Sequence, residues 1–236
     1  MEMQSDARLP SASHARVVGA LYFAWLAMGC VRSVYIEFMI IGGDAATRAA
    51  RIVENAMTMR LGMLADIATG MLLAFTVLAM YRLVSAFSSR AYLILGGLLV
   101  APLFFINALN DFAVLLFAQG ESALSVLSGA ERHGFLWFFL RMHILTKETG
   151  RLLWGVLWLI PLGALVYHTR ILPRVLGALL VVCGLSCIAC AAWFVLPAAD
   201  ANRLVSWIWP IFLVEDVVAL WLLIRGLPPG LQVKTA

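Results

Sequence analysis

VLGALLVVCGLSCIACAAWFVL, Val175 to Leu196, runs for 22 residues without a charged side chain. A helix rises about 1.5 Å per residue, so such a run covers about 30 Å, the depth of a bilayer's hydrocarbon core. Lipid offers the backbone no hydrogen-bond partner, which leaves only an α-helix or a closed barrel. Barrel strands alternate apolar and polar residues, and this run does not. The segment therefore predicts a membrane-spanning helix.

The same pattern recurs on both sides of it. Further spans are predicted over about 15–41, 60–84, 91–118, 151–168 and 204–224, giving six, with seven as the alternative. Pro102 and Pro161 predict kinks, which spans tolerate. The stretch 134–145 is apolar but short, and Arg141, His143, Lys147 and Glu148 interrupt or follow it, so it reads as an interfacial helix. Asp44 suits the N-cap of a short amphipathic helix on the membrane surface. Pro197 and Asp200 mark a turn. The predicted fold is all-α: a polytopic transmembrane helical bundle forming one domain over 15–226, between tails 1–14 and 227–236.

Composition agrees. Of 236 residues, 63% are hydrophobic and 13% charged, against roughly 45–50% and about 25% in soluble domains. Mean hydropathy is +0.95. The net charge of +4 does not point to nucleic acid, because the basic residues stand singly at the ends of apolar runs, as topology signals do. The short Arg82/Arg90 and Arg170/Arg174 loops carry almost only basic charge, which favours both termini in the cytoplasm. Residues 1–16 lack the features of a signal peptide, so the first apolar run reads as a retained span.

Polar residues inside the spans carry the functional information, since a charge facing lipid costs from about 2.5 to over 10 kcal/mol. They are Arg32 and Glu37, Arg60 and Asp66, Asn107, Asn110 and Asp111, and the adjacent Glu215 and Asp216. Six spans place nearly all of them in one leaflet and predict a shared polar cavity. The expected ion pairs are Arg32 with Glu215 or Asp216, and Arg60 with Asp66 or Asp111. Glu215, Asp216 and Asp111 are the candidate catalytic acids. Arg32, Arg60, Asp66, Asn107, Trp154 and Trp158 are the candidate ligand-binding residues. Purely structural pairing between helices stands evenly against a functional cavity.

Cys183, Cys187 and Cys190 share a helix face at i, i+4, i+7. A soft metal or redox site is one reading. Close packing of small residues, with Gly184 and Ser186, is favoured, because no His or further Cys accompanies them. No metalloprotease, Walker, nucleophile-elbow or dinucleotide motif occurs, and neither metal nor cofactor is expected. Retinal chemistry is set aside because Lys147 and Lys234, the only lysines, fall outside the predicted core.

Ala15–Tyr22, Gly43-Asp44-Ala45-Ala46, Arg60-Leu61-Gly62 with Asp66, Leu172-Pro173-Arg174-Val175-Leu176-Gly177, and Glu215 with Leu220–Gly226 resemble a bacterial multi-pass family catalogued as domain of unknown function four-three-eight-six. The resemblance covers about 15–226. It implies a bacterial inner-membrane protein of six to seven helices and no assigned activity. The family's recurring polar positions fall on Arg60, Asp66 and Glu215, and the chain departs from that pattern at Arg32.

Three functional classes follow. The first is binding or moving a small, partly apolar molecule or a proton. The second, by architectural analogy with small membrane terpene cyclases, is acid catalysis on a lipid or isoprenoid, with Glu215 or Asp216 as general acid and aromatic faces steadying a cation. The third is a structural or immunity-type protein without a ligand. The expected partners are membrane lipid and a small hydrophobic or isoprenoid ligand; the oligomeric state is left open.

Overall fold

The computed structural model describes residues 12–41, 45–120, 124–190, 206 and 208–228. All regular structure among them is helical. The cap expected at Asp44, the turn at Pro197 and Asp200, Trp193, Trp207 and both tail ends lie outside the described residues.

Helix α1, Ala12–Arg32, passes directly into a π-helical stretch, Ser33–Ile41. The short α2, Ala45–Glu54, and the long α3, Ala56–Ser85, follow. A 3-10 stretch, Ser89–Val100, leads into α4, Ala101–Gln119. Helix α5, Gly129–Trp154, continues through a π turn, Gly155–Leu159, into α6, Ile160–Thr169. Helix α7 is Arg174–Cys190, and a 3-10 turn, Trp209–Phe212, opens α8, Leu213–Ile224.

Three prolines explain three of these joins. Pro102 and Pro161 stand in the first turns of α4 and α6, and Pro210 stands in the 3-10 turn before α8. Proline lacks an N–H, and its ring clashes with the carbonyl four residues back. In each case the chain leaves α geometry there, so the kinks expected at Pro102 and Pro161 take the form of a change in helix type. Helix α5 starts on a reciprocal cap: the Glu131 N–H donates to Ser128 Oγ at 3.2 Å, and the Ser128 N–H donates to Glu131 Oε2 at 2.7 Å.

Four helical runs are long and apolar enough to cross a membrane: Ser13–Glu37, Ala56–Ser85, Ser89–Gln119 and Gly129–Thr169. Helix α7 is apolar and 17 residues long. Along α3, Leu61, Leu64, Met71, Phe75 and Leu78 form an exposed stripe, while Met59, Asp66, Leu73, Val77 and Met80 are buried. A water-facing helix puts its polar residues on the exposed stripe. Here that stripe is apolar, as contact with lipid requires.

One expectation is corrected. Residues 134–145 do not form a helix of their own; they belong to a helical run of 41 residues, 129–169. The charges that suggested an interface find partners within the protein instead: His143 approaches Asp111, and Lys147 reaches Glu37.

The chain forms two compact units. The first comprises Met1–Ala24, Ala74–Leu98 and Arg151–Ala236. Its tightest contact is the hairpin of α6 and α7, turned at Arg170 in the left-handed region (φ 59°). Gly163 and Gly177 face one another there, and a Cβ on either would lie within 2.8 Å of the other's carbonyl oxygen. Gly155 likewise leaves room for Cys187. Cys183, Cys187 and Cys190 are buried, which fits the close-packing reading.

The second unit comprises Trp25–Leu73 and Leu99–Gly150. Ile36, Ile40, Ile52, Met59, Val114 and Leu140 belong to its apolar core. Helix α2 is tied down by Ile52, fully buried, and by the Arg48 guanidinium, 4.7 Å from the centre of the Trp137 ring.

Candidate functional site

Arg32, the last residue of α1, is the hub of the second unit. Its Nη1 donates to Glu37 Oε1 at 2.8 Å. In an α-helix, residues five apart point about 140° away from each other. The i→i+5 register of the π stretch beginning at Ser33 brings them onto one face. Arg32 also grips Asp66 of α3 with two nitrogens, Nε at 2.8 Å from Oδ1 and Nη2 donating to Oδ2 at 2.9 Å. Nη2 donates as well to Asp111 Oδ2 of α4 at 2.5 Å. A planar guanidinium is the side chain suited to such multidentate pairing.

Helix α5 supplies the other side of the cluster. His143 and Lys147, four residues apart, share a helix face. His143 Nδ1 lies 2.7 Å from Asp111 Oδ1, and Nε2 lies 3.9 Å from Glu37 Oε1. Lys147 Nζ donates to Glu37 Oε2. Three carboxylates thus face Arg32, Lys147 and one imidazole. Asn107, one turn before Asp111, is buried. Asn110 Nδ2 donates to Thr146 Oγ1 at 3.5 Å.

A second polar centre occupies the first unit. Glu215 of α8 is 5% exposed. Its Oε2 accepts from the Tyr22 hydroxyl at 2.6 Å. Trp154 Nε1 donates to both carboxylate oxygens, at 3.0 and 3.2 Å. Trp158 Nε1 donates to the Tyr22 hydroxyl at 3.3 Å. The two indoles stack with centroids 4.8 Å apart, and Gly97 makes room for them: a Cβ there would lie 3.0 Å from the Trp158 ring. Among the described residues, no Lys, Arg or His pairs with Glu215.

The predicted residues therefore divide. Arg32, Asp66 and Asp111 come together, with Asn107 beside them on α4. Glu215, Trp154 and Trp158 come together elsewhere. The expected pairings are corrected. Arg32 takes Asp66 and Asp111 rather than Glu215 or Asp216, because its guanidinium leaves α1 where the π register begins. Arg60 is exposed and belongs to neither group. Asp216 is half-buried beside Glu215 in the chain and accepts none of the bonds that Glu215 does.

Sequence reasoning noted Glu37, His143 and Lys147 as polar but left them out of the site, and it passed over Tyr22. The i, i+4 spacing of His143 and Lys147 was the available signal. It was not weighed, because the run 134–145 read as too short to span and its charged residues as interfacial.

A family model described as Domain of unknown function (DUF4386) matches residues 17–226. No curated protein and no solved structure matches the chain. The match takes in every residue of both polar centres, and the chain belongs to that family.

Proposed function

We propose that this protein binds or moves a small, partly apolar molecule or a proton at the cluster around Arg32. The convergence of Arg32, Glu37, Asp66, Asp111, His143 and Lys147 supports the reading. Replacing a buried ion pair with well-packed apolar residues is often neutral or stabilising. Fold stability alone thus gives little reason to keep six such groups inside apolar helices. Ionisable groups within spans mark ion and substrate paths by default, and chains of acids and histidine mark proton relays. In this reading Asp66, Asp111 and Asn107 face the ligand or proton, and Arg32 fixes the carboxylates in place.

Acid catalysis on an isoprenoid at Glu215 draws less support. Both Glu215 oxygens already accept N–H or O–H donors, and Trp154 and Trp158 are stacked on one another.

The test uses proteoliposomes with an entrapped pH-sensitive dye. Wild-type protein is expected to relax an imposed pH step faster than empty liposomes, and Asp111→Asn to relax it at the empty rate. Equal rates in wild type and empty liposomes would remove proton movement from the proposal.

The same proposal places the protein in a bacterial inner membrane with six spans and both termini in the cytoplasm. A reporter fused after Ala236 that is active only in the cytoplasm is the expected result. Activity only in the periplasm would overturn the orientation.

A further inference from the structure

We propose that one end of the first unit, where Arg16, Arg82, Arg90, Arg170, Arg174 and Arg225 gather, binds the headgroups of anionic phospholipids. All six arginines are exposed, and among the described residues none of them is in an ion pair. The surface is separate from the Arg32 cluster, which belongs to the second unit.

Contacts along the helices bring these residues to the same end. Arg170 and Arg174 flank the turn between α6 and α7. Helix α8 runs beside the α5–α6 run in the same direction: Phe212 meets Arg151, and Glu215 meets Trp154. Arg225, after the last turn of α8, therefore lies toward Arg170. Helix α1 runs opposite to α8, since Tyr22 meets Glu215 and Gly19 packs on the backbone of Leu222 and Leu223. Arg16 thus begins α1 where α8 ends. The 3-10 stretch runs opposite to α5–α6, because Gly150 meets Leu103 while Gly97 meets Trp158. Its start, Arg90, and the end of α3, Arg82, join the group. The carboxylates described in this unit, Glu215 and Asp216, stand in the first turn of α8, away from Arg225.

The surroundings select a lipid over a soluble polyanion. Val17, Tyr92, Val175 and Ile224, each one or two residues from one of these arginines, are 58, 60, 67 and 67% exposed. Charge beside exposed apolar surface suits the boundary between headgroups and acyl chains. Two of the guanidiniums are also held on aromatic rings: Arg174 lies 5.4 Å from the centre of Tyr167, and Arg225 4.7 Å from the centre of Trp221. Stacking uses the face of a guanidinium and leaves its in-plane N–H fork for a phosphate, which a lysine could not reproduce.

Arg170 adds an independent sign. It follows the last turn of α6 in the left-handed region, φ 59° and ψ 25°. Helices usually place glycine there, because any Cβ is strained. The fold would be served better by glycine, so the arginine points to a role for its side chain outside the fold.

The experiment titrates purified full-length protein in a nonionic detergent with phosphatidylglycerol, phosphatidylcholine and glycerol phosphate. It reads the unfolding midpoint and, by native mass spectrometry, the lipid retained. Wild type is expected to be stabilised by phosphatidylglycerol alone and to retain it. Phosphatidylcholine has the phosphate but also a cation, and glycerol phosphate has the charge without acyl chains. Each arginine near a charged surface changes affinity about fivefold. Arg174→Gln with Arg225→Gln should therefore weaken phosphatidylglycerol binding about 10- to 30-fold, and Arg60→Gln, on the second unit, should leave it within about twofold. Arg170→Gly separates the two roles: the lipid-free midpoint should hold or rise while the affinity falls about fivefold. Equal stabilisation by phosphatidylcholine would mean an ordinary lipid annulus, and equal binding of glycerol phosphate a plain phosphate site. Either result, or wild-type affinity in the double variant or in Arg170→Gly, would overturn the proposal. Should the double variant fail to fold, the three ligands on wild type and Arg170→Gly decide.

Discussion

Arg32→Met is expected to destabilise the folded protein by about 3–5 kcal/mol, the usual cost of leaving buried charges without their partner. Asp66 and Asp111 are 3 and 1% exposed and would face each other with no guanidinium between them. For a chain of this size the unfolding midpoint should fall by about 6–20 °C. The triple variant Arg32→Met, Asp66→Asn, Asp111→Asn separates charge from packing. It removes the stranded carboxylates together with the cation, and most of the lost stability should return. A midpoint for Arg32→Met within 2 °C of wild type, on the order of 0.5–1 kcal/mol, would mean that the cluster is hydrated enough to tolerate the missing charge. It would no longer be a buried site.

Gly163→Leu should be the next most damaging change. A Cβ at this position would meet the Gly177 carbonyl oxygen at 2.7 Å and the Val181 backbone nitrogen at 2.8 Å. Both obstacles are backbone, so a rotamer change cannot relieve the clash. Helices α6 and α7 must separate, at a cost of about 1–3 kcal/mol or more. Gly134→Ala is the control, because nothing lies within 4 Å of a Cβ there. It should be neutral or stabilising by up to about 1 kcal/mol through helix propensity. Equal midpoints for the two variants would show that α6 and α7 do not meet as closely as described.

Much of the fold was legible because a bilayer imposes one requirement on long stretches of chain. The apolar runs at 15–41, 60–84, 91–118 and 175–196 each contain most of a helix found in the structure. Pro102 and Pro161 marked real discontinuities, since a missing N–H acts locally. What escaped was non-local. Nothing near Arg32 in sequence tells it to choose Asp66 and Asp111, 34 and 79 residues away, over Glu215. The pairing of Arg32 with Glu37 was hidden by the assumption of 3.6 residues per turn, which sends them to different faces. That residues 134–145 continue a longer helix was hidden because the run is short and its charged residues were read without partners, when those of His143 and Lys147 sat on other helical stretches. Tyr22 gave no signal at all: a tyrosine in an apolar run looks the same whether or not it serves a distant carboxylate.

The graded exposure of the Arg32 cluster carries one more consequence. Among the described residues, Arg32, Asp66, Asp111 and His143 are sealed and the Glu37–Lys147 edge is the exposed one. Carrying cargo from one face of the membrane to the other would demand a second shape of the protein, in which the Asp66–Asp111 end is uncovered and the Glu37 end is shut.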